Sequence, residues 1–126
     1  MNITTICIGK TDEKAIEMLL QKYENRLPSH INYQRIEIPD IKNRKNLSEI
    51  QQKQKEAEQI LSKIVNTDFV IILDEKGKQP TSKQFADDIQ NYMNQSVKNL
   101  VFVIGGPYGF DESVYNRGNK KMSLSN

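Results

Sequence analysis

Short apolar runs alternate along this chain with segments whose apolar residues recur at helical spacing. Ile3 to Gly9, "ITTICIG", is β-branched and closed by glycine, which predicts a strand. From Asp12 onward, Ile16, Leu19, Leu20 and Tyr23 recur with helical period behind an acidic first turn. Ile31 to Pro39, "INYQRIEIP", alternates imperfectly and stops at proline, which predicts a second strand. A helix opens at "SEIQ", where Ser48 caps and Gln51 reaches back in a capping box. Its apolar positions, Ile50, Ala57, Ile60, Leu61 and Ile64, are sparse at first, so its first turns are expected to be exposed. Asp68 to Leu73, "DFVIIL", is continuously apolar, the pattern of a strand covered on both faces. "DEKGKQP" reads as a loop, and "TSKQFADDIQNYM" as a helix with Phe85, Ile89 and Tyr92 or Met93 on one side. "LVFVIGG" is a second doubly covered strand. Asp111 caps a short helix running toward Arg117 and closed by Gly118, and "KMSLS" starts a last extended segment.

The resulting order, β-α-β-α-β-α-β-α-β, contains two strands too apolar to be covered on one face only. It predicts an α/β fold: a mostly parallel sheet with helices on both faces and right-handed crossovers. No linker, repeat or low-complexity stretch interrupts it, so residues 1–126 are expected to form one domain, near the usual single-domain size. Hydrophobic content of 37% and charged content of 27% suit a soluble chain with a modest core. No apolar run approaches the roughly 18–20 residues of a membrane span. "MNITTICIGK" has neither a basic leader nor a small-residue cleavage site, so no signal peptide is expected. The single cysteine, Cys7, has no internal partner, and no CxxC or Cys/His cluster offers a metal site. A reducing, cytoplasmic setting follows. Eighteen basic against 16 acidic residues give a net charge of only +2, which neither demands nor excludes nucleic acid. The densest basic stretches are "KNRKN", Lys42 to Asn46, and the group Arg117, Lys120 and Lys121; both read as solvated loops.

The chemistry concentrates at two strand ends. In open parallel sheets, ligands bind at the carboxyl ends of strands. Leu73 runs into "DEKGK", and Ile104 runs into "GGPYG". Gly105 and Gly106 let a ligand approach the backbone closely or let the chain take positive φ. The spacing is GGxxG, neither a dinucleotide fingerprint nor a phosphate loop. Asp74 and Glu75 follow the apolar strand and are placed to accept hydrogen bonds from a ligand's amine or hydroxyls, or to serve as ordinary loop acids. His30 stands alone at a turn and reads as solvent-exposed. No Ser/His/Asp or Cys/His arrangement assembles, so hydrolytic and metal chemistry are poorly supported.

Taken together, these segments resemble the ribosomal RNA large subunit methyltransferase H family of the SPOUT superfamily, which methylates N3 of a pseudouridine in 23S ribosomal RNA. The matching elements are "I-x-x-I-x-I-G-K", "Y-E-N-R-L", "I-E-I-P" and "K-E-A-E-Q-I-L". They continue with "I-I-L-D-E-K-G-K" and "T-S-K-Q-F-A", then "F-V-I-G-G-P-Y-G-F" and finally "S-L-S", collinear over the whole chain.

The resemblance implies a SPOUT-type α/β fold whose C-terminal segment threads a trefoil knot around S-adenosyl-L-methionine, with homodimers formed at the paired knots. It implies that Leu73, Gly105 and Gly106 contact the cofactor, with Leu124 and Ser125 beginning a third wall. On that reading the adenosyl group presses on the backbone at position 105, and Gly105→Val blocks the cofactor while leaving the fold intact. The implied partner is 23S ribosomal RNA within the assembled ribosome, with no membrane and no metal. Family members continue past the matching "S-L-S", so the knot-threading segment and the His and Tyr near the family's C-terminus have no counterpart among these residues. No catalytic residue is therefore carried over. Without that segment the two apolar strands and the Phe85 helix are expected to be undercovered and to drive association. The alternative reading is a non-catalytic α/β module that binds ribosomal RNA or a partner protein.

Overall fold

The computed structural model describes residues 1–8, 31–39, 46–105 and 109–123. The helix predicted from Asp12, together with His30 and the basic residues Lys42, Arg44 and Lys45, lies outside them. Five strands, β1 (Asn2–Ile8), β2 (Asn32–Ile38), β3 (Phe69–Lys78), β4 (Asn99–Ile104) and β5 (Lys120–Met122), form one sheet in the order β2-β1-β4-β3-β5. Every neighbouring pair is parallel. Three helices are described: α1 (Glu49–Ser62), α2 (Ser82–Asn94) and α3 (Glu112–Arg117).

The central strands are buried on both faces because side chains alternate across a strand. Val70 and Ile72 of β3 and Val101 and Val103 of β4 face a core shared with Ala57 and Ile60 of α1 and Val114 of α3. Their alternates, Ile71, Leu100 and Phe102, face Phe85, Ile89 and Tyr92 of α2. The Phe85 and Phe102 rings lie 6.1 Å apart, tilted by 34°. β1 is sandwiched as well: Ile3, Ile6 and Cys7 have no exposed surface, and the Cys7 thiol points at the Ile36 carbonyl, 3.7 Å away.

The helix starts follow from their first residues. Ser48 and Gln51 exchange the two hydrogen bonds of a capping box, both at 3.1 Å. Thr81 and Gln84 do the same before α2, at 2.8 and 3.1 Å. Each box satisfies donors that a helix N-terminus otherwise leaves open.

Several expectations need correcting. "DEKGK" is not a loop, since β3 runs on to Lys78 with a break in register between Leu73 and Lys78. The charged residues there hid the strand because its continuation is held by β5 rather than by apolar burial. The first turns of α1 are exposed at Ile50, 64% accessible as expected, but not throughout: Gln52 and Glu56, eight and four residues ahead of Ile60, are buried and hydrogen-bonded to one another at 3.2 Å. A polar pair therefore lies on the inward stripe in turns that were expected to be exposed. Nor are the two apolar strands and Phe85 undercovered. Phe85 is 2% exposed, and the large exposed hydrophobics among the described residues are Tyr33, Ile50 and Val65, all elsewhere. No described helix is long and apolar enough to cross a membrane.

Candidate functional site

Parallel pairing puts the last residue of β4, the last residue of β5 and the last β3 residue paired with β4 on a single rung. Leu73 of β3 pairs with Ile104 of β4 on one side and with Met122 of β5 on the other. Asp74, Gly105 and Ser123 are thus the next residues at one edge of the sheet, the edge where α/β folds bind ligands. Leu73 and Ile104 are both only half-buried, which leaves an apolar lip at that edge. Of the residues expected to hold the cofactor, Leu73 therefore sits where β3 parts from β4, and Gly105 directly follows the end of β4. Gly106, Leu124 and Ser125 lie outside the described residues, although Met122 and Ser123 carry the chain to the same edge.

The third strand end is held there by a close backbone approach. Both Leu73 and Lys78 pair with Met122, and the Ser123 amide donates to the Lys78 carbonyl at 3.0 Å. Gly77 makes the contact possible, because a Cβ on it would lie 2.7 Å from the Met122 amide nitrogen. Lys120, at the start of β5, reaches across to Asp88 of α2 at 3.2 Å. Although partial burial opposes its charge, the hydrogen bond to Asp88 and the field of Asp88 hold the Lys120 ammonium above its usual pKa.

Phe110 lies against Gly105. A Cβ at Gly105 would lie 2.7 and 2.8 Å from two atoms of the Phe110 ring, so the ring fills the space a side chain would need. This changes the expectation for Gly105→Val: the substitution strikes the packing of Phe110, which is 7% exposed, before any ligand is considered. Gly109, just before it, has φ +82°, a left-handed conformation that glycine adopts without strain.

Tyr115 of α3 was not singled out by the sequence. Its hydroxyl donates to Asp74 Oδ2 at 2.5 Å, its ring meets that of Phe110 edge-on at 5.6 Å, and the Lys121 ammonium lies 4.7 Å above it. Asp74 thus accepts a bond from within the chain. α3 has only six residues, too few for a periodic signal to distinguish Tyr115 from its neighbours.

Asp111 anchors that short helix, accepting from the Ser113 hydroxyl at 2.6 Å and the Ser113 amide at 3.1 Å. Those bonds favour the carboxylate and hold Asp111 below the usual range. A depressed folded-state pKa means that its contribution is complete above the unfolded value and is lost as pH falls through the folded one. The difference in urea midpoint between the parent and Asp111→Ala is therefore expected to be largest near neutrality and to narrow only below about pH 4; a gap that is constant with pH would contradict it.

The basic group at this end of the chain is not a set of idle solvated charges. Arg117 donates to the carbonyls of Val65 at 2.9 Å and Asp68 at 3.0 Å, tying α3 to the turn between α1 and β3. Lys120 is paired and Lys121 covers an aromatic ring. Among the described residues no group of three or more His, Cys, Asp or Glu side chains is placed to hold a metal ion.

Comparison with known proteins gives the family of the chain. A ribosomal RNA large subunit methyltransferase H from Christiangramia forsetii is 54% identical over 125 residues, 99% of this chain and 80% of that protein. Proteins of the same name from Flavobacterium johnsoniae, at 54%, and Bacteroides fragilis, at 38%, match over the same shares. The family model described as "Predicted SPOUT methyltransferase" matches residues 1–126. With that match over its whole length, the chain belongs to the SPOUT methyltransferase family.

Proposed function

We infer that this chain methylates large-subunit ribosomal RNA, with S-adenosyl-L-methionine as the donor and N3 of a pseudouridine in 23S ribosomal RNA as the acceptor. The family match and the relatives' names support ribosomal RNA methylation. The observation that carries the cofactor reading is the shared rung of Leu73, Ile104 and Met122, which brings Leu73 and the residues leading to the other two expected walls to one level of the sheet. The half-buried Leu73–Ile104 lip suits an adenine ring and the apolar atoms of a methionyl chain, and the GGxxG spacing is not that of a phosphate loop.

When bound, the cofactor supplies an electrophilic methyl group. This chain's part is to hold it at the strand ends and to orient an imide nitrogen that becomes nucleophilic on losing its proton. Recognition of RNA would rest on shape and phosphate contacts rather than on strong net charge, consistent with a formal +2. We place the reaction in the cytoplasm, on the assembled ribosome, with the protein as a homodimer.

The test is calorimetric titration of S-adenosylhomocysteine into the 126-residue protein, followed by transfer of labelled methyl groups from S-adenosylmethionine to 23S ribosomal RNA in intact ribosomes. Binding with transfer to a single pseudouridine supports the reading. Binding without transfer favours a cofactor-holding module that needs further chain, and a folded protein that binds nothing removes the cofactor from the account.

A further inference from the structure

We propose that Tyr115 is a positioning residue of the cofactor shelf, holding its three strands in register without touching the ligand. This rests on the cofactor reading above. One side chain meets a residue adjacent to each wall. Its hydroxyl binds the carboxylate of Asp74, the residue after Leu73 on β3. Its ring packs edge-on against Phe110, the ring that fills the Cβ space of Gly105 at the end of β4. The ammonium of Lys121, one residue before Met122 on β5, lies over the same ring.

These ties differ in kind, which lets them be separated. The bond to Asp74 is a hydroxyl donating to a carboxylate, short and directional, and of the stronger class of hydrogen bond. It fixes the direction in which β3 leaves the rung, just where its register with β5 breaks. The Phe110 contact is apolar and edge-on, and the Lys121 contact is a cation over a ring face. Phenylalanine at 115 keeps both ring contacts and removes only the hydroxyl. A residue that merely filled the core would tolerate that change with little consequence for a ligand, because the packed volume is almost unchanged.

The experiment compares the parent, Tyr115→Phe, Asp74→Ala, Asp74→Asn and the Tyr115→Phe/Asp74→Ala pair. Each is titrated with S-adenosylhomocysteine at a temperature where melting curves show it folded, and amide exchange is followed at Ser123 without ligand. Tyr115→Phe and Asp74→Ala are each expected to weaken binding about tenfold, the scale of one charge-assisted hydrogen bond. The pair should be no weaker than either single variant, because both remove the same interaction. Asp74→Asn, which keeps an acceptor oxygen but loses the charge, should fall between the parent and Asp74→Ala. Exchange at Ser123 should quicken in Tyr115→Phe and Asp74→Ala before any ligand is present. If the parent binds and Tyr115→Phe binds equally well, the positioning role is overturned and the shelf stands. Additive losses in the pair would likewise overturn the Tyr115–Asp74 link. If the folded parent does not bind, the shelf reading fails and this proposal fails with it.

Discussion

Gly77→Ala is expected to displace β5 and lower the stability of the chain by about 2–4 kcal/mol. The atoms a Cβ would meet are not the ends of flexible side chains. They are the Met122 amide nitrogen at 2.7 Å and its carbonyl carbon and Cα, both at 2.9 Å. Backbone atoms in a paired strand cannot turn aside as a rotamer does, so the contact is relieved only by moving β5 away from β3. That movement breaks the 3.0 Å bond from the Ser123 amide to the Lys78 carbonyl and loosens the pairing of Met122 with both Leu73 and Lys78. Ser123 is buried, so its amide would be left without that acceptor in a place water reaches poorly.

For a chain of this size the melting temperature should fall by roughly 10 °C. A second readout separates local displacement from general weakening. Amide exchange at Ser123 should rise far more than at Val101 or Val103, which lie in the middle of the sheet. Should Gly77→Ala melt with the parent and protect Ser123 equally, the close approach of β3 and β5 is wrong, and with it the alignment of the third strand end.

How much of this was legible in the sequence depends on what kind of interaction fixes each part. "DFVIIL" and "LVFVIGG" announce doubly covered strands because continuous apolar runs have few other uses in a parallel sheet, and Phe85, Ile89 and Tyr92 declare the face of α2 that covers them. Ser48 with Gln51 gave the start of α1 from a four-residue pattern that the structure reproduces bond for bond. The failures have a common origin in contacts that are distant in sequence and polar or backbone in character. Strand β3 continues through "DEKGK" because β5 pairs with it there, some forty residues later. Gln52 and Glu56 take the inward stripe of α1 by satisfying each other, which no hydrophobicity pattern encodes. At the site, Leu73 and Gly105 were visible as the places where apolar runs stop, although β3 itself continues past Leu73, and the sequence had no means of showing that Leu73, Ile104 and Met122 share a rung. It was equally silent about Tyr115, whose partners Asp74, Phe110 and Lys121 come from three different segments.

Gly105 is where two physical accounts of one glycine compete, and a pair of substitutions decides between them. In one account the position is bare because a ligand approaches its backbone. In the other it is bare because the Phe110 ring already occupies the Cβ space, at 2.7 to 3.2 Å for three of its atoms. Gly105→Val is expected to abolish binding of S-adenosylhomocysteine and also to cost about 1–3 kcal/mol, the usual penalty for forcing volume into a packed core. Because both accounts predict that outcome, the single variant alone is not decisive. Gly105→Ala combined with Phe110→Leu removes the ring that the new methyl group would strike while keeping the site apolar. The expected result is a melting temperature restored most of the way from that of Gly105→Ala, with cofactor affinity still reduced at least tenfold, about 1.4 kcal/mol. Phe110→Leu alone serves as the reference, since any loss through Tyr115 appears there as well. If the double variant binds no worse than Phe110→Leu, the glycine serves the aromatic ring and nothing else, and Gly105 leaves the cofactor shelf. If affinity stays low after the fold has recovered, the backbone at 105 is itself a ligand surface, and Phe110 is the residue that presses it into place.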